Sequence, residues 1–159
     1  MERLATEVGR RLQAAGAKLA TAESCTGGWA SQVVTSVAGS SAWFERGFVT
    51  YSNAAKQEAL GVLAETLQRH GAVSEEAARE MALGALARSR ATLALAITGV
   101  AGPGGGSAAK PVGTVCFAWA RAGGWSKSQT LHLTGDRESI RRQSVVHALQ
   151  GVLQALDEG

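Results

Sequence analysis

A three-layer α/β/α domain around a mixed sheet of about five strands is the fold class this sequence predicts. Three observations lead there. Helical and strand patterns alternate along the chain; the run TLALAIT at 92–98 is uninterruptedly apolar, as in a strand covered on both faces; and strand patterns at 112–120 and 125–133 flank Gly123-Gly124 as an antiparallel hairpin. The 159 residues, 45% of them apolar, suit one domain over 1–159 with a sizeable core.

In chain order, residues 2–15 place Leu4, Ala5, Val8, Leu12 and Ala15 on one helical face, and Gly16 stands where a C-terminal glycine belongs. Residues 18–22 form a short strand that stops at Glu23, and after Gly27 and Gly28 an amphipathic helix carries Trp29, Val33, Val34 and Val37. VAGSS at 37–41 breaks the pattern, and Trp43 and Phe44 anchor a loop before Glu45 and Arg46. Residues 47–52 (GFVTYS) alternate as a second strand with Tyr51 at its far end. Ser52 or Asn53 caps a helix over 54–60, which puts Lys56 in a first turn where the macrodipole disfavours a cation. A helical piece at 64–70 precedes a longer helix at 75–90, capped by Ser74, with Glu75 and Glu76 in its first turn and Arg88 and Arg90 in its last. The final helix, over 136–156, spaces Ile140, Val145, Leu149, Val152 and Leu156 for burial. Asp136 can cap it, yet Arg137, Arg141 and Arg142 crowd its first two turns against the dipole preference, with Arg137 and Arg141 on one face.

Composition narrows the function classes. A net charge of +3 with no basic run speaks against nucleic-acid binding while tolerating an anionic small ligand. No apolar run is long enough to span a bilayer and the first residues are charged throughout, so a cytoplasmic chain without signal peptide or membrane anchor is expected. Cys25 and Cys116 belong to no paired motif, which reads as reduced thiols and neither a metal site nor a disulfide framework.

Two stretches carry candidate chemistry. TAESCTGG (21–28) reads as strand, tight turn and helix; Ser24 projects from the carboxyl end of a strand, and Gly27 and Gly28 let backbone N–H groups approach a ligand. The same residues also serve as a plain cap at Thr26 with glycines relieving crowding. GVAGPGGG (99–106) is too glycine-rich to be anything but mobile or pressed against a ligand. It is not a P-loop, because Lys110 lies between Ala109 and Pro111, and not a dinucleotide fingerprint, because a strand follows where that motif requires a helix. The arginine face at the last helix would suit a phosphate, although an Arg142–Glu138 surface pair with solvated neighbours accounts for the same residues. Lys56 is likewise either a functional cation or a solvated one.

Together, TAESCTGG (21–28), GSSAWFERGFVTYSNAAK (39–56), ITGVAGPGGG (97–106), KPVGTV (110–115) and GDR (135–137) resemble, in order and spacing, the CinA C-terminal domain family, the nicotinamide mononucleotide deamidases. The resemblance covers nearly the whole chain and looks like the stand-alone form, since Met1 leads straight into the first helix. It implies an anticodon-binding-domain-like fold and a homodimer or higher homo-oligomer. It also implies hydrolysis of nicotinamide mononucleotide to nicotinate mononucleotide and ammonia, in pyridine nucleotide salvage, with no cofactor and no metal. By the same resemblance Ser24 matches the nucleophile, Lys56 its base and Tyr51 a neighbour in the site, with Ser41 as a further participant. Further substrate contacts are expected from Glu23, Thr26, Gly27 and Gly28 in the turn. Thr98, Gly99 and Gly102 complete the set from the glycine-rich loop, and Arg137 and Arg141 from the last helix. Gly104 departs from the family pattern, where a polar or acidic residue is frequent, and so offers no side chain to a ligand.

The residue types agree with such chemistry. An amide is a poor electrophile and a serine hydroxyl a weak nucleophile, so the site needs a base in hydrogen-bond reach and donors for the developing oxyanion. A lysine is that base only when neutral, which burial or a nearby positive field would favour. His70, His132 and His147 lie outside the glycine-rich turns, against a Ser-His-acid triad. A non-catalytic nucleotide-binding module linked to competence or damage responses gives no purpose to Ser24, Tyr51 and Lys56 together, and an RNA-binding domain lacks aromatic platforms beside basic residues.

Overall fold

The computed structural model describes residues 1–158, so that Gly159, the last residue of the expected domain, lies outside the described residues. The sheet is five-stranded and mixed, in the order β2-β1-β3-β4-β5. Strands β1 (Leu19–Glu23), β2 (Phe44–Val49) and β3 (Leu93–Gly99) are parallel, and β4 (Thr114–Arg121) and β5 (Ser126–His132) add antiparallel neighbours through the expected hairpin.

Alternation along the central strands sorts side chains by size. Leu19, Leu93, Leu95, Ile97, Val115, Phe117 and Trp119 face one side, where helices α1 (Glu2–Ala14), α2 (Trp29–Thr35) and α6 (Arg137–Asp157) supply Val8, Leu12, Val34, Ile140, Val145 and Leu149. The opposite face is almost all alanine: Ala20, Ala22, Ala94, Ala96, Ala118 and Ala120. That flat surface receives α5 (Glu75–Ala87), itself lined by Ala77, Ala78, Ala82 and Ala85, with α3 (Asn53–Leu60) and α4 (Ala64–His70) beside it. Small residues on both partners bring helix and sheet close, while the bulky face needs three helices to fill it.

The connections place the site. The β1–β2 crossover carries α2 on the bulky face, and the β2–β3 crossover carries α3, α4 and α5 back past β1 on the alanine face, so the strand order reverses beside β1. A crevice therefore opens at the carboxyl ends of β1 and β3, the switch point at which open α/β sheets bind ligands.

Some boundaries differ from the sequence expectation. Strand β2 starts at Phe44, so that Glu45 and Arg46, expected in a loop, lie within it, whereas residues 50–52 lie beyond its end. As an edge strand it tolerates charges facing solvent: Glu45 pairs with Arg46 and accepts the Arg90 N–H. Helix α2 ends at Thr35, short of Val37. Helix α5 ends at Ala87, before the two arginines expected in its last turn; Arg88 reaches across to donate to the Leu60 carbonyl at 3.2 Å. No helix among the described residues is long and apolar enough to cross a membrane.

Candidate active site

Strand β1 ends at Glu23, and the next four residues turn sharply: the Ser24 N–H donates to Ile97 O at 2.9 Å and the Gly27 N–H to Ser24 O at 3.0 Å. Gly27 and Gly28 have φ of 58° and 103°, left-handed values that a side chain would strain. Helix α2 then starts with Gly28 as N-cap, which has no side chain to accept its first N–H groups. Glu23 does so instead. Its carboxylate, fully buried, accepts from Ala30 N at 2.8 Å, Ser31 N at 3.0 Å, Thr26 Oγ1 at 2.6 Å and Ser31 Oγ at 2.7 Å. Four bonds occupy its acceptor sites, and the negative charge sits at a helix N-terminus. Glu23 and Thr26, expected to contact substrate, thus fold the turn and do not line the cleft.

Opposite Ser24 stands Lys56. After β2 the chain runs through Thr50 and Tyr51 to Ser52, whose hydroxyl accepts the Ala55 N–H and starts α3. Lys56 in that helix is only 1% exposed, and its Nζ donates to Ser24 Oγ at 2.9 Å, Thr50 O at 3.0 Å and Tyr51 O at 3.3 Å. Burial pushes its pKa below the ordinary lysine value; the neighbouring Cys25 works weakly the other way. Of the two causes the sequence allowed, burial and a nearby positive field, burial is the one at work. A neutral amine has two N–H groups for the two carbonyls and a lone pair for the Ser24 hydroxyl, so the same three partners suit the deprotonated form.

A cleft of about 280 Å³ lies over this pair, lined by Ser24, Cys25, Tyr51 and Lys56, by Ala72 and Val73, by Thr98 to Gly102, Gly104 and Gly105, and by Arg137. Thr98 and Gly99 end β3, and the Thr98 hydroxyl donates to Ala72 O at 2.8 Å, drawing the segment between α4 and α5 into the wall. That wall, with Cys25, has no signal in the sequence: Ala72 and Val73 form no pattern there and arrive through this bond and through packing on the alanine-face core. Cys25 is buried and its thiol is pushed up to about 11 by desolvation, an inert neighbour for the serine.

The last helix approaches from the other side. Arg137 donates through Nη1 to Gly102 O at 2.8 Å and through Nη2 to the Tyr51 hydroxyl at 3.2 Å, so it ties the glycine-rich loop and the 64% exposed Tyr51 across the mouth of the cleft. Arg141, expected to face the same phosphate, turns elsewhere: Nε donates to Cys25 O at 3.0 Å and Nη2 to Thr26 O at 3.2 Å, and it does not line the cleft. One helical turn further along, its guanidinium meets the Ser24 turn rather than the open mouth. Arg142 forms the surface pair with Glu138 at 2.8 Å. Gly27 and Gly28 shape the turn from behind and do not line the cleft. Ser41 is also not part of it. It sits exposed in a 3₁₀ turn before β2, and because β2 runs parallel to β1 that turn lies at the amino end of the sheet, away from Ser24. The three histidines do not line the cleft either, and His147 packs against Phe117 and Trp119.

Comparison with known proteins finds relatives of the same fold over nearly the whole chain. The chain is 56% identical over 151 residues to the nicotinamide-nucleotide amidohydrolase PncC of Escherichia coli K12, covering 95% of this chain and 92% of that one. It is 52% identical to the protein of the same name from Pseudomonas putida, covering 95% and 94%. Among solved structures, the competence/damage inducible protein CihA of Agrobacterium tumefaciens superposes with a TM-score of 0.94 at 48% identity, covering 98% of this chain and 94% of that one. A CinA superfamily protein of Klebsiella pneumoniae gives a TM-score of 0.95 at 42% identity, covering 99% and 98%. The family profile described as the CinA C-terminal domain matches residues 1–156, and the chain belongs to that family.

Proposed function

We propose that the protein hydrolyses the carboxamide of nicotinamide mononucleotide, releasing ammonia and leaving nicotinate mononucleotide, with Ser24 as nucleophile and Lys56 as base. The observation that carries this reading is the 2.9 Å contact between a buried lysine and a serine hydroxyl at the floor of a cleft. The names of the relatives from Escherichia coli and Pseudomonas putida supply the substrate class.

Neutral Lys56 takes the Ser24 proton as Oγ bonds to the carboxamide carbon, and the carbonyl π electrons move onto oxygen. Collapse of that tetrahedral adduct breaks the C–N bond, the lysine ammonium passes its proton to the leaving nitrogen, and ammonia departs. Water then adds to the acyl-serine by the reverse sequence, with Lys56 taking its proton and returning it to Ser24 Oγ, so each cycle consumes one water. The carbonyls of Thr50 and Tyr51 hold the amine in place throughout. Arg137 spends two of its five N–H groups on Gly102 and Tyr51, which leaves donors for the substrate phosphate at the mouth. In this reading the protein works in cytoplasmic pyridine nucleotide salvage, as a homodimer or higher homo-oligomer.

The test is ammonia release from nicotinamide mononucleotide by the pure protein, by Ser24→Ala and by Lys56→Arg. Wild type should turn over; both variants should fall by at least about a thousandfold, because one loses the nucleophile and the other keeps a permanently protonated group where a base is needed. Turnover by Ser24→Ala at the wild-type rate would refute the assignment, and an inactive wild type would point to a binding module.

A further inference from the structure

Resting on the reading above, we propose that Arg141 is a positioning residue for the reaction, acting through the peptide groups of the Ser24 turn to aim and polarise the N–H that stabilises the oxyanion. The bonds form a chain. Arg141 Nη2 donates to Thr26 O at 3.2 Å; the N–H of that same Thr26–Gly27 peptide donates to Ser24 O at 3.0 Å; and the N–H of the Ser24–Cys25 peptide belongs to Cys25, which lines the cleft beside the nucleophile.

Each link transmits direction. The only cis bond among the described residues is Gly102–Pro103, so these peptides are trans and planar, with N–H opposed to C=O. Fixing one oxygen on the α6 side therefore fixes the next hydrogen on the far side. Arg141 Nε, by holding Cys25 O at 3.0 Å, does the same for the Thr26 N–H. Neither the Cys25 N–H nor the Thr26 N–H donates to a carbonyl or to another residue's side chain among the described residues; the Cys25 N–H has only its own thiol beside it. The Cys25 N–H, on the residue after the nucleophile, is placed to receive the oxygen of a carboxamide attacked by Ser24 Oγ.

Each link also transmits charge. Arg141 forms no ion pair with a carboxylate among the described residues; its guanidinium rests 5.4 Å from the Trp29 ring centroid and gives its hydrogen bonds to two carbonyls of one turn. A cationic donor on a carbonyl withdraws electrons from that amide and makes its own N–H a stronger donor, and successive bonds reinforce one another. The strengthening matters most when negative charge develops on the substrate oxygen, so the effect belongs to the transition state and not to substrate binding.

A simple structural tie between α6 and the turn makes different predictions. Losing an oxyanion donor outright lowers kcat by about 10²–10³, and Arg141 acts one step removed, so Arg141→Met should lower kcat by about tenfold to a hundredfold with KM changed less than about threefold. Arg141→Lys, which keeps the charge but only one donor nitrogen, should fall between. The pH midpoint of kcat should not move, because that proton belongs to Lys56. The discriminating substrate is thionicotinamide mononucleotide, whose sulfur accepts hydrogen bonds poorly; the Arg141→Met penalty should largely vanish there. An equal penalty on amide and thioamide, a shifted pH midpoint, or unchanged kcat in an active enzyme would overturn the inference. If Arg141→Met does not fold, the same comparison is made with Arg141→Lys. A wild-type protein that releases no ammonia from nicotinamide mononucleotide would instead overturn the parent reading, and this one with it.

Discussion

Replacing Glu23 by glutamine separates a folding role from a binding role at the residue just before the nucleophile. On one side of the carboxylate stand the Ala30 N–H and the Thr26 hydroxyl, on the other the Ser31 N–H and hydroxyl. Glutamine keeps the shape but turns one oxygen into a donor. A hydroxyl on that side can rotate to accept from it; a backbone N–H cannot. Whichever way the amide lies, one buried N–H at the start of α2 faces another donor, which costs about 1–3 kcal/mol. Loss of the negative charge at the helix N-terminus adds about 0.3–2 kcal/mol. A total of about 1–5 kcal/mol is a substantial part of the roughly 5–15 kcal/mol that holds a domain folded. At about 2–4 °C per kcal/mol for a chain of this size, Tm should drop by roughly 2–20 °C. The assay is thermal unfolding followed by circular dichroism, beside KM for nicotinamide mononucleotide at a temperature where both proteins are folded. Tm should fall and KM should stay within about threefold. A KM raised tenfold with Tm unchanged would refute the reasoning and return Glu23 to the substrate.

Three further outcomes follow from the same geometry. Burial holds Lys56 below the ordinary lysine pKa, so the unfolded chain binds the extra proton between that lowered value and about 10.4. Wild-type stability should therefore rise with pH across that window relative to Lys56→Met, in paired urea melts from pH 7 to 10; a gap that stays constant with pH would contradict a depressed Lys56. Over the lower part of the same window, activity should climb as the amine becomes neutral. Arg137→Ala should lower kcat/KM for nicotinamide mononucleotide by more than about tenfold, the typical effect of truncating one side of a desolvated charge pair, and much less for nicotinamide riboside, which lacks the phosphate. Equal losses on both would assign Arg137 to holding Gly102 and Tyr51 in place.

Much was legible in the chain itself, where a signal is local and periodic. The apolar TLALAIT run, the hairpin at Gly123-Gly124, the caps at Ser52, Ser74 and Asp136, and the strand-turn-helix at Ser24 all rest on residues within a few positions of one another, and the structure has them in place. Strand β2 was misplaced by three residues because an edge strand needs no apolar alternation; its register comes from pairing with β1. The site divides along the same line. Ser24 and Lys56 could be named from motif and residue type, but the 2.9 Å contact between these two residues, 32 apart in the chain, depends on β1 and β2 being parallel neighbours. The roles of Glu23, Arg137 and Arg141 were decided by tertiary structure. Glu23 became a helix cap because Gly28 offers no side chain of its own, a clue present in the sequence but meaningless until the helix start is known. Arg137 and Arg141 share a helical face, yet one turn of α6 carries the first to the cleft mouth and the second to the back of the nucleophile turn, because the surface they meet is built by β1 and β3. Periodicity tells which side chains point the same way. What they meet there is set by the fold.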